Sequence, residues 1–355
     1  MNSVPKQDKK KVLMAMSGGL DSSMTAVLLK EKNYELIGIT LRVYQSQFRS
    51  DPMEQSINDA KILADKLDIP YYVIDVSKDF KTKIIDYFIN EYYNGHTPNP
   101  CALCNFTIKW EYLIRLADEF GCNYIATGHY AKIKQKNGRL YISEGQDFNK
   151  DQSYFLWRLN QDFLKRTLFP LGNFNKKQIR ELAELKGFKD IATKRESYDI
   201  CFIPEGDYRD FLKKNSRSPQ PGKIVNTKNQ VLGTHQGIIY YTHGQRKGLG
   251  IAYTEPLYVV DINPEENKIT LGTKQELYKN VIYLKDFVLS KYDPIPKNKT
   301  FQTKIRYRSK PLDSKVSIEN NLLKIEFETP ATAPSPGQSA VIYEENDLVA
   351  GGVIV

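Results

Sequence analysis

The chain has 355 residues, a net charge of +9 from 51 basic and 42 acidic side chains, and a hydrophobic content of 41%, which leaves room for two or three globular domains and fits either a polyanionic partner or a merely lysine-rich proteome. It has no apolar run of about 18 residues, the length a membrane span needs, and its polar, lysine-rich start lacks the apolar stretch of a secretory signal, so a cytoplasmic protein with no membrane partner is expected. Four cysteines, at 101, 104, 122 and 201, are too few for a secreted disulfide scaffold of this length.

Val12 to Met16 is an unbroken apolar run, the pattern of a strand buried on both faces. It leads into Ser17-Gly18-Gly19-Leu20-Asp21-Ser22-Ser23, after which Met24, Val27 and Leu28 recur at helical spacing. Strand, glycine turn and helix N-terminus together present backbone N–H groups and the positive end of a helix dipole to an anion. No Gly-Lys-Ser/Thr follows, so this is not a Walker A loop, and it is not a GxGxxG turn. On the local pattern alone an ordinary βα turn stays open. The stretch resembles the SGGxDS signature of the PP-loop pyrophosphatases, which implies ATP cleaved between the α and β phosphates.

Leu36 to Leu41 reads as a second strand, followed by a helical stripe of Ile57, Ala60, Leu63, Ala64 and Leu67. Tyr71 to Val76 is a third strand; Phe80, Ile84, Phe88 and Tyr92 mark one helix, and Phe106, Trp110, Leu113 and Ala117 another. Tyr124 to Thr127 is a short strand. Such alternation argues for an α/β doubly wound parallel sheet, with ligands at the carboxyl ends of the strands, where the opening turn and Thr127-Gly128-His129 both lie. Asn137-Gly138 between strand-like residues reads as a type I′ hairpin. Helical signals return over 152–168 and 175–186, with Asn175 as N-cap and Gly187 as the stop. Beyond about 205 long helical stripes are absent and short β runs dominate, at 223–225, 237–242, 257–262, 268–272, 282–289, 301–308, 315–318, 322–328 and 339–343. The expected organisation is a PP-loop domain over 1–205, a small β-rich domain over 206–276 and a C-terminal β-barrel over 277–355. In the barrel Lys304, Arg306, Arg308 and Lys310 alternate with Ile305 and Tyr307, so a strand there puts four cations on one face, suited to phosphates or merely solvated.

Pro98-Asn99-Pro100-Cys101-Ala102-Leu103-Cys104-Asn105 is a proline-restricted loop opening onto a helix, with Cys104 near its N-terminus, where a dipole favours thiolate. No second ligand pair at close spacing completes a zinc site. Cys122 reads as a small buried residue, and Cys201, in the apolar stretch Ile200-Cys201-Phe202-Ile203, reads by itself as a core cysteine.

Taken together, Ser17–Ser23, Pro98-Asn99-Pro100 with Cys104-Asn105, Thr127-Gly128-His129-Tyr130-Ala131, Lys150-Asp151-Gln152-Ser153-Tyr154, Ile200-Cys201-Phe202-Ile203 and Tyr241-Thr242-His243-Gly244-Gln245-Arg246-Lys247-Gly248-Leu249-Gly250 resemble the tRNA-specific 2-thiouridylases, from about residue 11 to the C-terminus. That resemblance implies ATP-dependent 2-thiolation of the wobble uridine in the tRNA anticodon region: adenylation of the C2 oxygen, then sulfur transfer. It implies ATP bound by Ala15, Met16, Ser17, Gly18, Gly19, Leu20, Asp21, Ser22, Leu41 and Gly128, with Asp21 a candidate for holding Mg²⁺, a role compatible with its bland one as a helix N-cap. It implies a persulfide on Cys201 loaded by a sulfur-relay protein, Cys104 as nucleophile, and a disulfide between the two that a cellular reductant resets. It implies tRNA contacts from Asn99, Pro100, Cys101, His129, Lys150, Asp151, Gln152, Arg306, Tyr307 and Gln338. Read blandly, His129 is a loop histidine and Lys150-Asp151-Gln152 a charged loop before a helix. Many members carry Asp where this chain has Cys101, which leaves the general base open and creates a set, Cys101, Cys104 and Cys201, able in principle to hold an iron–sulfur cluster. The competing class is a PP-loop amide or C–N ligase acting on a small molecule, which needs the turn but neither the paired cysteines nor a basic β domain.

Overall fold

The computed structural model describes residues 10–43, 52–194, 200–203, 207–216 and 218–355; Ser197, Tyr198 and Asp199 and the boundary at 205/206 lie outside the described residues. The chain divides into two compact units, Met1–Lys81 with Cys104–Tyr198, and Thr82–Leu103 with Asp199–Val355.

The first unit is built on a five-stranded sheet in the order Tyr71–Asp75, Glu35–Arg42, Lys11–Ala15, Tyr124–Ala126, Thr167–Leu168, every neighbouring pair parallel. Lys11–Ala15 pairs with the next strand in sequence on one side and with Tyr124–Ala126 on the other. The strand order therefore reverses at Lys11–Ala15, and in open α/β sheets the crevice beyond such a reversal is where ligands bind. Val12, Leu13 and Met14 are fully buried, as their unbroken apolar run requires. The helix Leu20–Glu31 is apolar on two sides. Ala26 and Leu29 pack with Val12, Met14, Met16, Leu63 and Ala64, while Leu20, Met24 and Val27 pack with Tyr130, Leu171, Ile179 and Ala183. Each large side chain so buried contributes about 1.5–3 kcal/mol, which fixes the helix, and hence its N-terminus, over the sheet.

The hairpin Ala131–Lys136 and Arg139–Glu144 turns on Asn137 and Gly138, both at positive φ, 50° and 81°, the type I′ geometry the Asn-Gly pair predicts. Asn175 caps the helix Lys176–Leu185, its side chain accepting from the Gln178 N–H while the Gln178 side chain accepts from the Asn175 N–H. The stretch 152–168 is not one helix. It divides into a 3₁₀ turn, Ser153–Leu156, a short helix, Gln161–Lys165, capped by Asn160, and the edge strand Thr167–Leu168. Apolar residues that recur at near-helical spacing here are buried from several directions, so burial mimics a helix period.

In the second unit four strands form a sheet in the order Tyr258–Asn263, Lys268–Gly272, Gly222–Asn226, Val231–His235. Residues 237–242 are not a strand: Ile238–Tyr240 is a single 3₁₀ turn entered through Gly237 at φ 146°. The helix Tyr208–Asn215, absent from the sequence reading, starts on Asp207, whose carboxylate accepts from the Arg209 N–H. Six antiparallel strands, Tyr278–Leu289, Leu322–Thr332, Leu312–Glu319, Thr300–Lys304, Ser339–Glu344 and Asp347–Ile354, close into a barrel through pairing of the first with the last. Ile282, Leu284, Phe301, Leu323, Ile325, Ile342 and Ile354 fill it. The expected strand 301–308 ends at Lys304, and Ile305 to Ser309 turn back, with the Ser309 N–H donating to Arg306 O at 3.1 Å. The period-two stripe of four cations is therefore not formed; Arg306, Tyr307 and Arg308 sit on a turn.

Candidate active site

The glycine turn lies beyond the carboxyl end of Lys11–Ala15, as its sequence requires. Gly18 takes φ 69°, and a Cβ there would stand 2.2 Å from the Ser56 carbonyl oxygen, so only glycine fits. Gly19 is the N-cap of Leu20–Glu31 and supplies no capping side chain. The first N–H groups of an α-helix have no intrahelical partner, so at this end they remain oriented for an anion. Ser22 braces the turn from within: its Oγ accepts from the Ser17 N–H at 3.1 Å and donates to Gly19 O at 3.2 Å. These features fit a nucleotide phosphate. Leu41 is half-buried near the end of the neighbouring strand Glu35–Arg42.

Asp21 is not the N-cap. It stands in the helix's first turn, and its carboxylate accepts from Lys176 Nζ at 2.7 and 2.8 Å and from the Tyr130 hydroxyl at 2.8 Å. The Lys176 side chain is 11% exposed. A Mg²⁺ at Asp21 would have to share that carboxylate with an ammonium, so the donor set fits a charge-neutralised helix start better than a metal ligand. Lys194 holds the other side of the turn, donating to Gly18 O at 2.7 Å and pairing with Asp59. Lys176, Lys194, Ser56 and Asp59 escape sequence reasoning because nothing in their local spacing marks them. Tyr130 stands inside a quoted motif, and a tyrosine one place after His129 was a usable signal.

Gly128 brings the second strand end against the first. A Cβ on it would lie 2.8 Å from both the Asp21 carbonyl carbon and the Ser22 nitrogen. His129 is 9% exposed, its Nδ1 within 2.8 Å of Thr127 Oγ1 and its ring beside Trp110 and Phe169. Burial, helped by the charge of Lys109, holds its imidazole well below the ordinary histidine range, so the ring is neutral at pH 7. Asp151 is buried rather than presented on a loop surface. Its carboxylate accepts from the Gly145 and Ser153 N–H groups at 2.9 and 3.3 Å and from Ser153 Oγ at 2.7 Å. Burial outweighs these bonds and pushes its carboxyl up to about 6. Gln152 accepts from the Tyr130 N–H at 3.0 Å. Asp151 and Gln152 thus shape the loop on which half-buried Lys150 sits.

Cys104 belongs to the first unit and is buried, whereas Cys101 and Cys201 belong to the second and are exposed. Cys122 is buried, and that burial raises its thiol, the bland role its turn suggested. Cys101 and Cys104 lie in the helical turn Pro100–Cys104, whose start is capped by Asn99 Oδ1, accepting from the Ala102 N–H at 3.3 Å. Cys201 sits next to Phe202, which is 3% exposed and wedged edge-on against Phe88 at 5.4 Å and beside Phe211 at 5.3 Å. The Cys201 thiol is thus exposed on a backbone pinned by its neighbour's ring.

Arg306 Nη2 donates to Ser335 Oγ at 3.1 Å and to Ala333 O. Gln338 Nε2 donates to Thr97 O at 3.0 Å and Pro98 O at 3.3 Å. Among the described residues no group of three or more His, Cys, Asp or Glu side chains lies close enough to hold a metal ion, and no helix is long and apolar enough to cross a membrane.

A parallel sheet with a phosphate-fitting glycine turn at its switch point, followed by a small β domain and a closed barrel, defines a PP-loop nucleotide-using enzyme with appended β modules. Residues 10–205 match the family described as tRNA methyl transferase HUP domain, 209–273 the tRNA methyl transferase PRC-barrel domain and 279–355 the aminomethyltransferase beta-barrel domain. The chain is 43% identical over 345 residues to tRNA-specific 2-thiouridylase MnmA 2 of Clostridium botulinum, spanning 97% of this chain and 98% of that one. It is 43% identical over 358 residues to tRNA-specific 2-thiouridylase MnmA of Amoebophilus asiaticus, spanning 98% and 95%. The chain belongs to the tRNA-specific 2-thiouridylase family. Among solved structures, the U34-tRNA thiolase NcsA from Methanococcus maripaludis, with its 4Fe-4S cluster, aligns over 59% of this chain and 68% of its own at 23% identity and a TM-score of 0.36, a likeness too slight to carry an argument.

Proposed function

We propose that this enzyme thiolates the C2 position of the wobble uridine of tRNA in two stages, in the cytoplasm. In the first, the uridine C2 oxygen attacks the α-phosphate of ATP, the bond to the β-phosphate breaks, and pyrophosphate leaves. The single observation that carries this reading is the turn Ser17–Ser22. Its open helix N-terminus and positive-φ Gly18 lie at the switch point of the sheet, braced by Lys194 and by the Lys176–Asp21 pair. Fixed N–H dipoles aimed at phosphate stabilise charge as it develops without reorganising. Asp21 serves the Lys176 bridge rather than Mg²⁺.

In the second stage the terminal sulfur of a Cys201 persulfide becomes the nucleophile at C2, and AMP leaves with the oxygen. Cys104 then attacks the Cys201 sulfur of the resulting mixed disulfide, or attacks the persulfide first to free hydrosulfide. Either order leaves Cys104 and Cys201 oxidised to a disulfide, and a dithiol reductant supplies the two electrons that reset the enzyme. Exposed Cys201 is accessible to a sulfur-relay donor. Asn99, Pro100 and Cys101 border the target base, with neutral His129 as a further contact. Lys150, Arg306 and Tyr307 face the RNA, the tyrosine as a stacking surface.

The test is mass spectrometry of nucleosides from tRNA incubated with enzyme, ATP and a persulfide donor that supplies sulfane sulfur to Cys201, with no free sulfide added, alongside ATP–pyrophosphate exchange. Thiouridine that depends on ATP, and that disappears in Cys104→Ala and in Cys201→Ala, is expected. Undiminished thiolation by either variant refutes the mechanism. Arg306→Ala is expected to weaken tRNA binding in a salt-dependent way.

A further inference from the structure

The loop that carries Cys101 is gripped from the barrel at four points, all within the second unit. The Thr97 N–H donates to Pro336 O at 2.7 Å. Gln338 Nε2 donates to the carbonyls of Thr97 and Pro98. Asn99 Nδ2 donates to Ser339 Oγ at 3.3 Å, while its other amide atom caps the Pro100–Cys104 turn. Gly337, at φ 88°, lies so close that a Cβ would stand 2.9 Å from His96 Cβ and 3.1 Å from the Thr97 nitrogen. Two further facts give this contact a purpose beyond packing. Thr97 Oγ1 is buried without a hydrogen-bond partner among the described residues. And the gripping turn is bonded to Arg306 through Ser335 Oγ.

We propose that the turn Ser335–Ser339 is a clamp that sets the position of Thr97–Cys101, and that Gln338 is a positioning residue acting through the Thr97 and Pro98 carbonyls. One side-chain amide bonded to two successive carbonyls defines both the height and the tilt of the peptide between them. Asn99, held at its far end by Ser339, then transmits that position to the helical turn leading to Cys104. The proposal deepens the functional reading and rests on it, in that Thr97–Cys104 is taken as part of the sulfur-transfer site.

The test compares wild type with Gln338→Leu and with Ser339→Ala, a smaller change that keeps the strand even if the first variant folds poorly. Three quantities are measured: the Kd for bulk tRNA, kcat for thiolation with a persulfide donor, and the rate at which iodoacetamide alkylates buried Cys104, at the end of the held turn, in the RNA-free enzyme. A clamp leaves Kd within about twofold of wild type and lowers kcat about ten- to a hundredfold, the scale on which a misplacement of about 1 Å acts. It also speeds Cys104 alkylation by about fivefold as the turn loosens. A Kd raised about tenfold, with kcat and alkylation unchanged, makes Gln338 an RNA contact and overturns the clamp. If wild-type enzyme thiolates nothing, the functional reading fails by itself. The alkylation rates still decide the clamp: faster in the variants upholds it, unchanged overturns it.

Discussion

Replacing Gly128 by alanine perturbs the nucleotide site from behind. The residue has no need of a left-handed backbone, so the whole cost is steric. The new methyl would sit 2.8 Å from the Asp21 carbonyl carbon and from the Ser22 nitrogen and 3.1 Å from Asp21 Cβ. Ordinary contact begins near 3.4 Å, so two backbone atoms in the first turn of Leu20–Glu31 must retreat by about 0.6 Å, and neither is the end of a flexible side chain. Overpacking of this kind costs about 1–3 kcal/mol, which lowers Tm by a few degrees in a chain of this size, roughly 2–4 °C per kcal/mol. The larger effect falls on function. Ser22 both braces Ser17 and carries one of the N–H groups open to phosphate, and a misplacement of about 1 Å is worth about a hundredfold in rate. A 0.6 Å shift therefore lowers the ATP–pyrophosphate exchange rate by about tenfold. Exchange kinetics across ATP concentrations, with a melting curve on the same sample, measure both. Exchange within about twofold of wild type together with an unchanged Tm refutes the packing of Gly128 on the phosphate turn.

Three further outcomes follow from other parts of the structure. Lys176→Met leaves Asp21 as an uncompensated carboxylate beside a phosphate site. Loss of a buried partner costs about 3–5 kcal/mol, but the Asp21 side chain is 34% exposed, so about 1–2 kcal/mol and a weakening of ATP binding of about tenfold are expected from titration calorimetry; unchanged affinity counts against the neutralised helix start. Asp151 titrates near 6 against 3.8 for an ordinary aspartate, so the native state holds its proton to higher pH than the unfolded state. Stability from this group is thus lost as pH rises from about 4 to 6, by about 3 kcal/mol, and Asp151→Asn, which keeps an acceptor for the Gly145 N–H, removes that slope; parallel slopes for the two proteins in denaturant titrations at pH 4.5 and 7.5 refute it. Brief iodoacetamide treatment, read by peptide mass mapping, labels Cys101 and Cys201 at least about tenfold faster than Cys104 and Cys122; equal labelling of Cys104 and Cys201 contradicts their difference in burial.

The parallel sheet was legible because burial on both faces writes itself as unbroken apolar runs, as in Val12–Met16, and because Gly18 and Asn137-Gly138 need backbone conformations that few residues tolerate. The capping box at Asn175 is equally local. What stayed hidden is what depends on distant partners. Lys176 and Asp21 lie far apart in sequence, and nothing near either one announces the other. Arg306 and Arg308 alternate with apolar neighbours as strand residues do, yet the strand stops at Lys304, where the chain turns back through a Ser309–Arg306 bond. Asp151 looked like a solvated loop charge because three acceptor-hungry neighbours, the Gly145 and Ser153 N–H groups and Ser153 Oγ, could be found only in three dimensions. Period and composition report which face is wet on average. They do not report which polar side chain has been recruited to satisfy a turn.

That distinction changes what the appended β modules are for. A basic excess on a β-rich C-terminal half invites the reading that the barrel is a passive RNA-holding surface. Yet the side chains expected to touch RNA are those that the barrel spends on its own geometry. Arg306 ties its turn to Ser335, and Gln338 and Ser339 reach the loop of Asn99 and Cys101. A phosphate engaging Arg306 must compete with the Ser335 and Ala333 oxygens. The same turn that bonds Arg306 also holds the cysteine-bearing loop.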